Sequence, residues 1–241
     1  MASRGYDMTP TMYSPDGRIY QVEYAIETVN RGTLAVGIRS KGGVVLAVEE
    51  KSRTLQVSNI TQKIFQVDQH VGIAAAGYIP DARVQVDNAR FFSQSNRINY
   101  DEAVEIETIA KYLADQSHRY TQYSGVRPYG VALIVAGVDQ KGSSIYMTDP
   151  SGIYVSYAAV AIGANSDDVT KFFENNYTDD INLEDAMTLA SLAINIKNKD
   201  KKNTENIKME YISTAEKKIE KINKNDLDTI INNNIQKYNK Q

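Results

Sequence analysis

From Thr33 onward the apolar positions of the chain alternate between two periods. "TLAVGIRS" (33–40) and "GVVLAVEE" (43–50) are β-rich runs joined by Lys41-Gly42-Gly43, whose glycines suit a tight hairpin. "KIFQVD" (63–68) is a third run, and "VGIAAAG" (71–77) continues it. The period then lengthens. "PDARVQVDNARFFSQSN" (80–96) opens with Pro80 at a first helical position and carries Val84, Val86, Ala89 and Phe92. In "NYDEAVEIETIAKYLADQ" (99–116), Asn99 with Glu102 three residues later has the form of a capping box, and Ile106, Ile109, Ala110 and Leu113 form a helical stripe.

The second half repeats the order. Strands are expected at "YGVALIVAGVD" (129–139), "SSIYMTDP" (143–150) and "GIYVSYAAVAIG" (152–163), followed by helices at "SDDVTKFFENNY" (166–177) and "NLEDAMTLASLAINIKN" (182–198). The last of these has Leu183, Ala186, Met187, Ala190, Ala193 and Ile194 on one face and Leu189, Leu192 and Ile196 off it, so it is apolar nearly all round and belongs between layers. "IKMEYIS" (207–213) alternates, with Ile207, Met209 and Tyr211 on one side and Lys208 and Glu210 on a side expected to be wet. Strands, two helices, strands, two helices: this order predicts an α+β fold of two stacked sheets with a helical layer outside each, a four-layer αββα sandwich.

Composition narrows the chemistry. A chain of 241 residues with a net charge of −3 can bury a sizeable core as one large domain. It has no cysteine, so disulfides, thiol catalysis and thiolate metal sites are excluded, and His70 and His118 lie far apart without ligand-spaced partners, so no metal site is expected. No cofactor motif appears. The N-terminus lacks the apolar run of a signal peptide, and no stretch approaches the ~20 apolar residues that span a bilayer, so a cytoplasmic location and no membrane partner are expected. Nucleic acid is not expected as a partner either, because no basic, aromatic-interleaved patch is present. The lysines from Lys197 onward are mixed with Asp, Glu and Asn and read as a solvated surface.

Residues 1–31 precede the globular pattern and read as an appended segment before a domain spanning 32–241. Ser14-Pro15-Asp16-Gly17 has proline where a turn wants a fixed φ and glycine where it wants freedom. "IYQVEYAIETV" then reads as a short helix with Ile19, Tyr20, Val22, Tyr24, Ile26 and Val29, too many apolar groups for a free arm. It packs on its own domain or on a neighbouring copy; both readings stand.

"YDMTPTMYSPDGRIYQVEYA" (6–25) resembles, nearly residue for residue, the N-terminal signature of proteasome α subunits, the archaeal type in particular. "DARVQVDNAR", "TQYSGVRPYGVALIVAGVD" and "DPSGIYVSYAAVAIGANSDDV" extend the likeness from Tyr6 to at least Tyr211. The resemblance implies the αββα sandwich of N-terminal-nucleophile hydrolases. It also implies a non-catalytic subunit of the proteasome core particle, in a homo-heptameric outer ring that stacks on proteolytic β subunits. Such a ring gates unfolded polypeptide and docks the C-terminal tails of a ring-shaped activating ATPase. By the same resemblance Tyr6, Asp7, Pro15 and Tyr24 form the gate cluster, with Met8 standing where the family commonly has arginine. Lys63, Gly77 and Pro15 form the activator-docking pocket, Tyr78 replacing a smaller aliphatic residue, while Tyr123 and Gly125 sit on the loop that narrows the pore and Arg127 and Pro128 fix that loop.

The alternative is a self-processed threonine peptidase. Gly32-Thr33 matches the junction at which β-like chains are cut, and Glu49 and Lys63 match the residues that support the freed nucleophile. Uncut, the Thr33 nitrogen is an amide and cannot take the hydroxyl proton. A stand-alone amidohydrolase of the same fold is a third, weaker reading, since it leaves the apolar N-terminal helix without purpose.

Overall fold

The computed structural model describes residues 9, 11–50, 55, 63–197 and 204–238. In chain order these form α1 (Tyr20–Asn30), β1 (Ala35–Ser40), β2 (Gly43–Glu49), β3 (Ile64–Asp68), β4 (Val71–Gly77), α2 (Ile79–Tyr100) and α3 (Ile106–Tyr120). Then come β5 (Val131–Asp139), β6 (Gly142–Thr148), β7 (Tyr154–Ser156), β8 (Ala159–Ile162), α4 (Ser166–Asn176), α5 (Leu183–Ile194), β9 (Ile207–Ser213), β10 (Ile219–Lys221) and α6 (Lys224–Asn234).

Among the described residues the strands make two antiparallel sheets, ordered β10-β9-β2-β1-β8 and β3-β4-β5-β6-β7. Three apolar layers hold the stack. Leu46, Ile134, Ile145 and Ile212 fill the space between the sheets. Ile73, Leu133, Val86 and Leu113 join the second sheet to α2 and α3, and Ile38, Leu189, Met209 and Ile231 join the first sheet to α4, α5 and α6. Helix α5 is buried on every side from Ala186 to Ile194, as its all-round apolar sequence requires. The architecture is the expected αββα sandwich.

Helix α1 lies across one end of the sandwich. It buries Val22, Ala25 and Val29 against the ends of β4 and β5 and so packs on its own domain.

Four readings of the sequence need correction. "GIYVSYAAVAIG" is two strands in different sheets: Tyr157 N donates to Ile145 O at 3.0 Å while the next residue's carbonyl, Ala158 O, accepts from Arg39 N at 2.8 Å. The chain changes sheets between adjacent residues, which period-two alternation cannot reveal. The Asn99–Glu102 pattern caps nothing. α2 runs on to Tyr100 and ends at Asp101 in the left-handed conformation (φ 54°), and α3 starts at Ile106, whose N–H is taken by Asp139 Oδ2 at 3.1 Å. The second face of β9 is not wet, because β9 lies between β10 and β2 and that face looks toward the other sheet. Glu210 is therefore 4% exposed, and burial pushes its carboxyl up, with Lys221 at 3.6 Å opposing the shift. Val84, finally, is exposed while Val86 and Ala89 are buried, so the core stripe of α2 runs along Ala82, Val86 and Ala89.

Among the described residues, no helix is long and apolar enough to cross a membrane and no group of three His, Asp or Glu could hold a metal ion.

Candidate functional site

The residues singled out in the sequence gather at the α1 end of the sandwich. Tyr6 and Asp7, with Met8, lie outside the described residues. Pro15 is exposed at the corner of a closed turn in which Gly17 N donates to Ser14 O at 2.9 Å and Gly17 takes φ 75°. The buried Ser14 locks the turn: its Oγ accepts from Arg18 N at 3.1 Å and its N donates to Arg18 O at 2.8 Å. Arg18 pairs with Glu23 on the first turn of α1. Tyr24 stacks on Tyr20, ring centroids 6.4 Å apart, and stays 51% exposed. It overlooks a cavity of about 350 Å³ between α1, Tyr78 at the β4–α2 junction, and the segment before β5 that carries Arg127 and Gly130.

Below this cavity the backbones meet with no room for side chains. A Cβ on Gly32 would lie 2.3 Å from Gly77 N, and one on Gly77, at φ 113°, would lie 2.4 Å from Gly130 O. Both positions need glycine.

The loop after α3 reaches solvent at Tyr123, 62% exposed, and at Gly125, which has φ 86°. One ion pair anchors its far end. Arg127 donates through Nη1 and Nη2 to Asp81 Oδ2 and Oδ1 at 2.6 and 2.8 Å, and Gly130 N donates to Asp81 Oδ2 at 2.9 Å. The same guanidinium lies 5.4 Å from the centre of the Tyr78 ring. Sequence reasoning assigned Arg127 to fixing the loop but missed Asp81, its partner. The available signal was an acid in the first turn of α2, which helix statistics alone would explain.

Lys63 closes the base of this end. It is 7% exposed, and its ammonium donates to Thr33 Oγ1 at 2.6 Å and Thr33 O at 2.7 Å, with Leu34 O and Glu49 O farther off at 3.4 Å each. Thr33 Oγ1 in turn donates to Glu49 O at 3.0 Å. Burial pulls the Lys63 pKa down to about 8, against the opposing charges of Glu49 and Glu50. The three residues of the peptidase alternative are thus together, and Lys63 O accepts from Ala75 N at 2.9 Å, two residues before Gly77 on β4. A hydroxyl next to a lysine of lowered pKa is a nucleophile–base pair in outline. Here the Thr33 nitrogen is a peptide nitrogen bonded to Gly32, whose carbonyl accepts from Ala164 N at 2.8 Å. The amine that a threonine nucleophile uses as its base is missing.

The family profile for the N-terminal signature of A-type proteasome subunits matches residues 6–27, and the general proteasome-subunit profile matches residues 29–212. The chain belongs to the proteasome alpha-subunit family. The proteasome alpha subunit of Methanosarcina thermophila is 43% identical over 236 residues, covering 97% of this chain and 95% of the relative. That of Thermococcus gammatolerans is 45% identical over 230 residues, covering 95% and 87%, and that of Archaeoglobus fulgidus 42% over 225 residues, covering 92% and 91%. Ser14–Gly17, Arg18 and most of α1 fall inside the alpha signature, and the Lys63–Thr33 pair and the Asp81–Arg127 clamp fall inside the general proteasome region. Most of α1, which lies across the sandwich end, belongs to the alpha-specific part of the chain.

Proposed function

We propose that this alpha subunit is non-catalytic, forms a seven-membered outer ring of the core particle on a ring of β subunits, and controls the passage of unfolded polypeptide to their chamber. Residues 1–31 are its gate segment. Pro15 and Tyr24, with Tyr6 and Asp7 ahead of them, hold the open conformation through contacts of ~1 kcal/mol each, weak enough to switch and decisive when repeated around a ring. Tyr123 and Gly125 line the passage beneath. Lys63, Gly77 and Pro15 receive the C-terminal carboxylate of a ring-shaped ATPase in the cytoplasm.

The observation that carries this reading is the Lys63 ammonium, buried at the end of the sandwich where α1 and the glycine contacts meet and donating there to the oxygen atoms of neutral groups. A buried cation gains from a carboxylate that arrives from outside. The test is particle reconstituted with β subunits and assayed for peptide hydrolysis. Deleting residues 1–12 should raise basal hydrolysis, and Lys63→Met should abolish stimulation by the ATPase while leaving basal hydrolysis intact. Stimulation that survives Lys63→Met contradicts the docking role. The peptidase reading rests on the 2.6 Å Thr33–Lys63 contact. It requires a mature chain beginning at Thr33.

A further inference from the structure

The ammonium of Lys63 has three hydrogens and is nearly covered. Two are used at short range by Thr33, at 2.6 Å to Oγ1 and 2.7 Å to O, whereas the third, among the described residues, has carbonyls at 3.4 Å. Lys63 is 7% exposed, whereas Thr33, whose Oγ1 lies 2.6 Å from the ammonium, is an exposed residue. That hydroxyl accepts from Lys63 while donating to Glu49 O at 3.0 Å, and a hydroxyl hydrogen reorients to suit a better acceptor.

We propose that Thr33 is a carboxylate-positioning residue of the docking site. It holds the Lys63 ammonium in place and turns its own O–H from the Glu49 carbonyl to one oxygen of an incoming terminal carboxylate, whose other oxygen takes the weakly held third N–H of Lys63. This rests on the docking reading above. The geometry gives the carboxylate two donors, one of them polarised by the ammonium behind it, which strengthens the bond it offers. The hydroxyl matching a catalytic nucleophile by sequence thus serves as a binding group, which explains an exposed threonine over a buried lysine without cleavage. Among the described residues, the acidic groups bearing on the ammonium are Glu49 and Glu50.

The test uses full-length rings and a fluorescein-labelled peptide with a free C-terminal carboxylate, together with its amidated twin. Anisotropy titrations should show the free acid binding and the amide not. Thr33→Val, nearly isosteric but without the hydroxyl, should weaken the acid about tenfold, the loss of one charge-assisted hydrogen bond, and Thr33→Ser should stay within about twofold of wild type. The high-pH limb along which binding is lost should also move to lower pH in Thr33→Val, because the ammonium has lost an acceptor, and a merely structural role would not move it. If Lys63→Met abolishes binding while Thr33→Val leaves it unchanged, the role of Thr33 is overturned and docking stands. If Lys63→Met leaves binding unchanged, or acid and amide bind alike, or neither binds, the docking reading falls. If Thr33→Ser fails like Thr33→Val, the hydroxyl is not the active feature and the proposal is overturned.

Discussion

Asp81 carries more of the loop after α3 than its partner Arg127, and the geometry ranks the two. Asp81 accepts three hydrogen bonds, two from Arg127 and one from the buried Gly130 N–H. Asp81→Ala leaves that N–H without an acceptor, at a cost of ~1–3 kcal/mol. It also removes an ion pair whose arginine side chain is 59% exposed, worth less than ~1 kcal/mol after solvent screening. The relief of a desolvated carboxylate offsets part of the loss, so we expect about 2 kcal/mol. Arg127→Ala removes the exposed partner only and leaves Gly130 N satisfied, costing about 1 kcal/mol with the lost stacking on Tyr78 included. For a domain of this size 1 kcal/mol shifts Tm by roughly 2–4 °C. Scanning calorimetry should therefore place Asp81→Ala some 4–8 °C below wild type and Arg127→Ala about half as far. Equal shifts, or a larger one for Arg127→Ala, would refute the claim that Asp81 acts chiefly through the Gly130 amide.

Lys63 predicts a pH dependence with a definite sign. Its folded pKa of about 8 lies below the ordinary 10.5, so between these values the unfolded chain holds the extra proton and stability rises with pH. The gain from pH 7 to 11 is about 3 kcal/mol at 1.36 kcal/mol per unit, read by denaturant melts as a difference from Lys63→Met, which should lack that limb. Glu210, its pKa raised by burial, contributes stability at acid pH that is lost as pH rises through the folded value; Glu210→Gln should be more stable than wild type at pH 7, with the gain vanishing at acid pH, in the same melts. Gly77→Ala must fit a Cβ 2.4 Å from Gly130 O at φ 113°, so it should cost more than ~2 kcal/mol by calorimetry and weaken tail-peptide binding in anisotropy titrations.

What was legible in the sequence is what local periodicity encodes. The β1–β2 hairpin, the stripe Ile106–Ile109–Ala110–Leu113 and the all-round apolar α5 each carry their burial in their own spacing. What was not legible depends on partners distant along the chain. The start of α3 is set by Asp139 from the end of β5, so the nearer Asn99–Glu102 pattern misled. Glu210 alternates like an exposed residue and is buried because another sheet covers it. β10 and α6 are short or mixed with Lys and Asn and left no readable period. At the site, resemblance selected Thr33, Glu49 and Lys63, yet only the fold shows that Lys63 bonds directly to Thr33 and that Asp81 clamps the loop 46 positions away.

The central claim is a ring of intact subunits whose N-terminal segment gates it, and native mass spectrometry of the purified chain, with a denatured spectrum to fix subunit mass, tests it most directly. The account predicts seven copies, or two sevens, each retaining the residues ahead of Thr33; a subunit whose mass begins at Thr33 would contradict it and make this chain a peptidase.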